Sequence, residues 1–342
     1  MNLNEDYTKL DPSGVERALT LFPNQIRESF TQVKNYKSVT GGAVKIENYD
    51  AVVVSGMGGS SNAGKIIQGI LEDNYNKPFI VYNDYGLPNW LNKNTLVIVN
   101  SYSGNTEESL SSYQKAKEIG CQVIGISTGG KINDVVIDPK DTNPTGYPKT
   151  GLGVSLGGLM GVLDAIGCMP NAKQELETAL TELNETRKTW NVKEMAENLH
   201  GSIPVLFGGR PLLGALKAGR NAMCEISRNF TEFYDFPEVN HVLVEAVGKP
   251  AAALQKKYLF FESNFNHERV KLRYKITKDI FAEQGLQSTA YSLQSSTVLG
   301  QSLELAHYCA WLGFYISILD DTDPGPEPWI LKLKSVLSQS VH

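Results

Sequence analysis

Twice in the first half of this chain a short apolar run ends in a glycine- or serine-rich turn that leads straight into a helix-length segment, and no other feature restricts its fold as much. Residues 51–54 (AVVV) run into Gly56-Met57-Gly58-Gly59-Ser60-Ser61, and the segment that follows carries Ile66, Ile67 and Ile70. Residues 95–100 (TLVIVN) run into Ser101-Tyr102-Ser103-Gly104-Asn105-Thr106, ahead of a helical stretch over 107–119. Further apolar runs lie at 78–82 (PFIVY) and 122–128 (QVIGIST). Unbroken β-branched runs separated by helices predict an α/β fold whose parallel sheet is covered on both faces. Such a sheet binds ligands beyond the carboxyl ends of its strands, and both turns lie there.

Beyond about residue 155 the pattern turns helical, with 156–166 and 172–200 reading as a helical hairpin or connecting helices. Residues 203–207 (IPVLF) then run into Gly208-Gly209 and a helix reaching about 228, which repeats the plan of 51–70. The repeat predicts two doubly wound α/β domains: a first over 1–155 with N-terminal helices, connecting helices over 156–195, and a second over 196–342. The length of 342 residues accommodates two domains at ~150 residues each. Strands are expected at 242–246 (VLVEA) and 258–261 (YLFF), and helices near 268–284 and 298–315. Trp329, Ile330, Leu333, Val336 and Leu337 stand at helical spacing, so 326–341 should close the chain as a short amphipathic helix.

Charge and composition remove several classes of function. Against 32 Lys and Arg stand 37 Asp and Glu, a net charge of −5 with no basic run, which argues against a nucleic-acid partner. The apolar runs are strand-sized, well short of the ~20 residues of a membrane span. The polar start, MNLNEDYTKLDPSG, lacks the layout of a signal peptide. Cys121, Cys168, Cys224 and Cys309 are far apart and form no CxxC pair, so a reduced, cytoplasmic setting is expected.

Three groups of residues could carry chemistry. In the first turn, glycines allow close backbone approach and the next helix offers free amides, which favours a phosphate. The turn is neither a phosphate loop ending in GK[ST] nor GxGxxG, and a plain tight turn is the alternative. In the second turn Ser101, Ser103 and Thr106 offer three hydroxyls, where capping the helix needs one. The third group is Glu225. On a helix over 211–228, Ala218, Asn221, Ala222 and Asn229 share its face, and Leu212, Leu216 and Met223 lie on the other. A carboxylate among small residues has room for a ligand beside it, although a solvated surface glutamate fits the same pattern. No His, Cys, Asp or Glu grouping has metal spacing, so no metal is expected. His200, His267, His307 and His342 read as structural.

The pattern SxSGxTxE after a strand, downstream of a strand and GxGGS, resembles the sugar isomerase (SIS) domain of phosphosugar enzymes and regulators. Asp11-Pro12-Ser13-Gly14-Val15 with Phe22-Pro23-Asn24-Gln25 resembles the start of the bifunctional phosphoglucose/phosphomannose isomerases. Cys224-Glu225-Ile226 with Pro237-Glu238-Val239-Asn240-His241 resembles their catalytic segment, and Asp323-Pro324-Gly325-Pro326 with Ile330 and Leu333-Lys334 their closing motif. The matches span nearly the whole chain.

The resemblance implies two SIS domains and interconversion of glucose 6-phosphate or mannose 6-phosphate with fructose 6-phosphate through an enediol, with no cofactor. It implies that Gly58, Gly59 and Ser60 line the sugar while Ser101, Ser103 and Thr106 hold the phosphate. Glu225 would be the base, and His241 and Lys334 would assist ring opening. His241 would reach in from the second subunit of a homodimer. The family usually has asparagines flanking the glutamate, where this chain has Cys224 and Ile226. The family's usual arginine near the end of the first domain, which stabilises the enediolate, is here Lys149 after Pro148; as the substrate-binding residue at that position it keeps the charge and loses the bidentate fork. A non-catalytic phosphosugar-binding regulator and an isomerase of another sugar phosphate are the competing expectations.

Overall fold

The computed structural model describes residue 3 and residues 6–39 and 48–339. Its first sheet contains β1 (Ala51–Ser55), β2 (Phe79–Tyr82), β3 (Thr95–Asn100), β4 (Gln122–Ser127) and β5 (Val135–Val136), ordered β2-β1-β3-β4-β5 and parallel throughout. Every residue of β1 and β3 is buried, as continuous Val/Ile/Leu runs require of central strands. Around this sheet stand α1 (Val15–Thr20), α2 (Phe22–Val39), α3 (Gly58–Leu71), α4 (Glu107–Ile119) and α5 (Leu152–Ala165). The Asp11 carboxylate starts α1, accepting from the amides of Val15 at 2.8 Å and Glu16 at 2.9 Å.

The second sheet contains β6 (Ile203–Gly209), β7 (Glu232–Phe236), β8 (Lys256–Glu262) and β9 (Ser288–Ser292), ordered β7-β6-β8-β9 and again parallel. With it come α6 (Ala172–Thr186), α7 (Val192–Leu199), α8 (Leu213–Ala222), α9 (Glu268–Glu283), α10 (Val298–Leu319) and α11 (Pro328–Gln339). The expected α/β architecture with two parallel sheets is present.

Three local expectations fail. Residues 242–246 form turns instead of a strand, closed by Leu243 N–H to Val239 C=O at 2.9 Å and Ala246 N–H to Leu243 C=O at 2.8 Å. The place beside β6 is taken by β7, an edge strand whose Glu232 and Asp235 hide it from a search for apolar runs. The regular helix expected to about 228 ends at Ala222 and widens into a π turn over Met223–Ser227. Arg228 then leaves with φ of 57°, so Asn229 does not share the helix face of Glu225.

The two sheets are tied together through α3 and α8, and glycines permit that contact. A Cβ on Gly69 of α3 would run into the carbonyl oxygen of Pro211, and one on Gly214 of α8 would run into the backbone of Lys65. Above this crossing lies the buried helix α10, packed against α8, α7, α6 and α3. Alanine usually gains up to ~1 kcal/mol over glycine inside a helix. At this crossing the added methyl meets backbone, which costs about 1–3 kcal/mol. Gly69→Ala should therefore lower stability in urea denaturation; an unchanged or raised midpoint would show that the crossing tolerates a side chain.

Candidate active site

Both sequence-selected turns lie at the carboxyl ends of neighbouring strands, locked side by side. At Gly56 a Cβ would stand 2.5 Å from the carbonyl oxygen of Asn100, so glycine is required where β1 passes the end of β3. Asn100 Nδ2 donates to the Ser60 carbonyl at 3.2 Å, and the Tyr102 amide donates to Ser60 Oγ at 3.1 Å. Ser101 Oγ donates to Thr106 Oγ1 at 3.3 Å, and Ser103 Oγ lies 3.5 Å from the same oxygen. Thr106 precedes α4 without a side-chain bond to the helix. The three hydroxyls therefore cluster at the start of α4 and leave its amides free, which suits an anion.

A second cluster forms where the domains meet. Gly59 and Asn62 of α3, Lys149, Ala218, Asn221 and Ala222 of α8, Glu225 and His307 of α10 all line one cavity. Glu225 occupies the π turn, a form frequent at functional sites. Lys149 reaches across from the first domain and its Nζ donates to the Glu225 backbone carbonyl at 3.1 Å. The same Nζ lies 3.7 Å from Glu327 Oε1, with the lysine side chain fully buried. Lys149 is positioned by its neighbour: buried Gln25 donates from Nε2 to the carbonyl of Thr150 at 2.9 Å. Glu327 is positioned through Arg228, whose Nη2 donates to the carbonyls of Asp323 and Pro326, each at 2.9 Å.

This environment displaces the acidity of Glu225. Burial first, then the neighbouring Glu327 carboxylate, push its carboxyl up to about 7, against the opposing charges of Lys149, Arg220 and Lys334. Lys149 is moved the other way: burial lowers its ammonium, and Glu327 and Glu225 partly offset that. A carboxyl balanced near neutrality can both take and return a proton.

Of the residues selected from sequence, the cavity unites Gly59, Lys149 and Glu225. Gly58 begins α3, and Ser60 joins that helix to the hydroxyl cluster. Lys334 is exposed on α11, yet its charge acts on Glu225. His241 is exposed at the end of a 3-10 helix, Glu238–His241, beyond β7 and outside the cavity of its own chain. Among the histidines read as structural, His200 pairs with Asp320 at 2.7 Å and His267 accepts from the Arg269 amide at 3.1 Å, while His342 lies outside the described residues. His307 is buried and held by the Leu19 carbonyl at 2.9 Å and Trp311 Nε1 at 3.0 Å, as a structural residue would be, and it also lines the cavity. Sequence reasoning also passed over Asn62 and Glu327; the latter sits inside the closing motif, where a second carboxylate carried no distinguishing sign. Among the described residues no group of three or more His, Cys, Asp or Glu could hold a metal ion.

Two parallel sheets meeting over such a site define a protein of two SIS domains. A family model for the SIS domain matches residues 45–133, and one described as the bacterial phospho-glucose isomerase C-terminal SIS domain matches 190–337. A bifunctional phosphoglucose/phosphomannose isomerase of Caldicellulosiruptor bescii is 30% identical, covering 93% of this chain and 97% of its own. One from Aquifex aeolicus is 30% identical over 85% of this chain and 91% of its own. The chain belongs to the bifunctional phosphoglucose/phosphomannose isomerase family. The fold is shared more widely: tagatose-6-phosphate ketose/aldose isomerase from Escherichia coli superposes with a TM-score of 0.67 at 13% identity, covering 95% of this chain and 97% of that one.

The raised pKa of Glu225 has a consequence for stability. Because the folded state holds this proton more tightly than the unfolded chain, the contribution is fully present below the ordinary value of 4.5 and is lost as pH rises to about 7. Glu225→Gln stays neutral throughout. Its Tm should exceed that of the wild type at pH 8, with the gap closing towards pH 5; a gap independent of pH would contradict the assigned environment.

Proposed function

We propose that this chain is an aldose–ketose isomerase that interconverts glucose 6-phosphate, mannose 6-phosphate or both with fructose 6-phosphate through an enediol. Membership of the family supports this reading, and the observation that carries it is Glu225: a carboxyl buried to a pKa of about 7 at the meeting of the two domains. In this reading the hydroxyls of Ser101, Ser103 and Thr106 and the amides of α4 hold the phosphate, while Gly58, Gly59 and Ser60 leave room for the sugar beside them. Glu225 removes the proton from C2 of the aldose. The electron pair of that C–H bond forms the C1–C2 double bond of the enediol, and charge gathers on the C1 oxygen. Lys149 has three donors; one is used on the Glu225 carbonyl, so the ammonium can also face that oxygen. The proton of the C2 hydroxyl passes to the C1 oxygen, and protonated Glu225 returns its own proton to C1 as the C2 carbonyl forms, giving the ketose. Lys334 acts in ring opening together with His241 from a partner subunit, and the exposed position of His241 supports that route. No redox cofactor takes part.

The working unit in this proposal is a homodimer, and the setting is the cytoplasm, which agrees with four cysteines that are all free. Two measurements test these claims. In a coupled assay the wild type should turn over fructose 6-phosphate, and Glu225→Gln should lose about 10²–10⁴-fold in kcat with KM little changed. Equal turnover by the two proteins would remove Glu225 as the base, and a wild type without turnover would favour a sugar-phosphate sensor. In light scattering at assay dilution the active species should be a dimer; a fully active monomer would exclude a shared His241.

A further inference from the structure

Two polar atoms in the wall of the Glu225 cavity are buried without a hydrogen-bond partner. One is Oδ1 of Asn62 on α3, a residue 2% exposed; the other is Nδ1 of His307 on α10, a residue 1% exposed. The two side chains come from opposite domains and line the same space. His307 is held firmly on its other edge. Its Nε2 lies 2.9 Å from the Leu19 carbonyl and 3.0 Å from Nε1 of Trp311, and its ring packs on Phe22 with centroids 4.7 Å apart. Burial lowers its pKa to about 3, so the ring is neutral and carries one proton. Whichever nitrogen carries that proton, Nδ1 is left one partner short. Buried polar atoms in folded proteins are nearly always paired, and an unpaired one is costly.

A hydroxyl group satisfies both atoms. It donates to Asn62 Oδ1, and it can donate to or accept from Nδ1, so it fits His307 in either tautomer. Position favours the same ligand. Gly59 in the cavity wall adjoins Ser60, whose Oγ accepts from the Tyr102 amide of the α4 turn, so a sugar chain with its phosphate at that turn and its reacting carbons at Glu225 passes the junction that Asn62 and His307 line. We propose that His307 and Asn62 bind the hydroxyls on carbons 3 and 4 of the sugar phosphate and thereby set which polyol chain the site accepts. This deepens the isomerase reading and rests on it.

The test compares glucose 6-phosphate with its 3-deoxy and 4-deoxy analogues by calorimetry, which needs no turnover. The wild type should bind at least one deoxy analogue about tenfold more weakly, since a site built to pair a hydroxyl rejects its absence. His307→Gln keeps an amide where Nε2 stood and loses Nδ1; it should bind glucose 6-phosphate about tenfold more weakly and no longer distinguish that analogue. Asn62→Ala provides the same comparison for the other atom and for the case in which His307→Gln does not fold. A purely structural role would weaken all three ligands alike and preserve the discrimination, which would overturn the proposal. So would a wild type that binds all three equally, the result expected if water alone occupies the cavity. A wild type that binds no hexose 6-phosphate would remove the isomerase reading, and this inference with it.

Discussion

The site exists because α3 and α8 touch along their backbones. Gly69 and Gly214 remove the side chains that would hold the helices apart, and each helix begins just beyond the carboxyl end of a parallel strand, β1 and β6. Running past each other from opposite sheets, the helices bring the first turn of one beside the last turn of the other. Gly59 and Asn62 thus come to face Ala218, Ala222 and Glu225. Neither domain holds this combination alone. A turn of three hydroxyls and free helix amides belongs to the first sheet and a buried carboxyl to the second, with small residues lining the cavity beside the carboxyl.

Charge placement follows from that geometry. A carboxyl buried alone would stay protonated near neutrality and serve poorly as a base, while one fully paired with a lysine would be too weak a base. Glu225 lies between these limits. Burial and Glu327 raise its pKa, and Lys149, Arg220 and Lys334 lower it. The motifs at the two ends of the chain serve this balance: Gln25 fixes the carbonyl of Thr150 next to Lys149, and Arg228 fixes the turn that carries Glu327. Residues that look like signature motifs in the sequence are here the supports of two charges.

Central strands and their turns were legible because burial on both faces forces unbroken apolar runs. The α4 boundaries, 107–119, follow from the strand, turn and helix punctuation alone. The edge strands β7 and β9 were not legible, since almost none of their residues is fully buried and charged or hydroxyl side chains interrupt the apolar pattern. The face of Glu225 was read correctly for Ala218, Asn221 and Ala222 and wrongly for Asn229, because a π turn has no local sequence signal that 3.6-residue periodicity can reveal. That His307 lines the cavity was not legible, for a different reason. It sits in a helix buried on nearly every side, where a polar residue reads as core, and only the junction of two domains gives it an opening.

The π turn separates two duties that one residue would otherwise confuse. The helix stops just after Glu225, at Ser227, which leaves the backbone carbonyl of Glu225 without an amide one turn on, and that carbonyl, not the carboxylate, accepts from the lysine of the opposite domain. The peptide group pins the domains together while the side chain stays free to gain and lose a proton. The hydrogen bond across the junction is thus made to a group that does not titrate, and only charge carries the state of the carboxyl to the lysine that forms the joint.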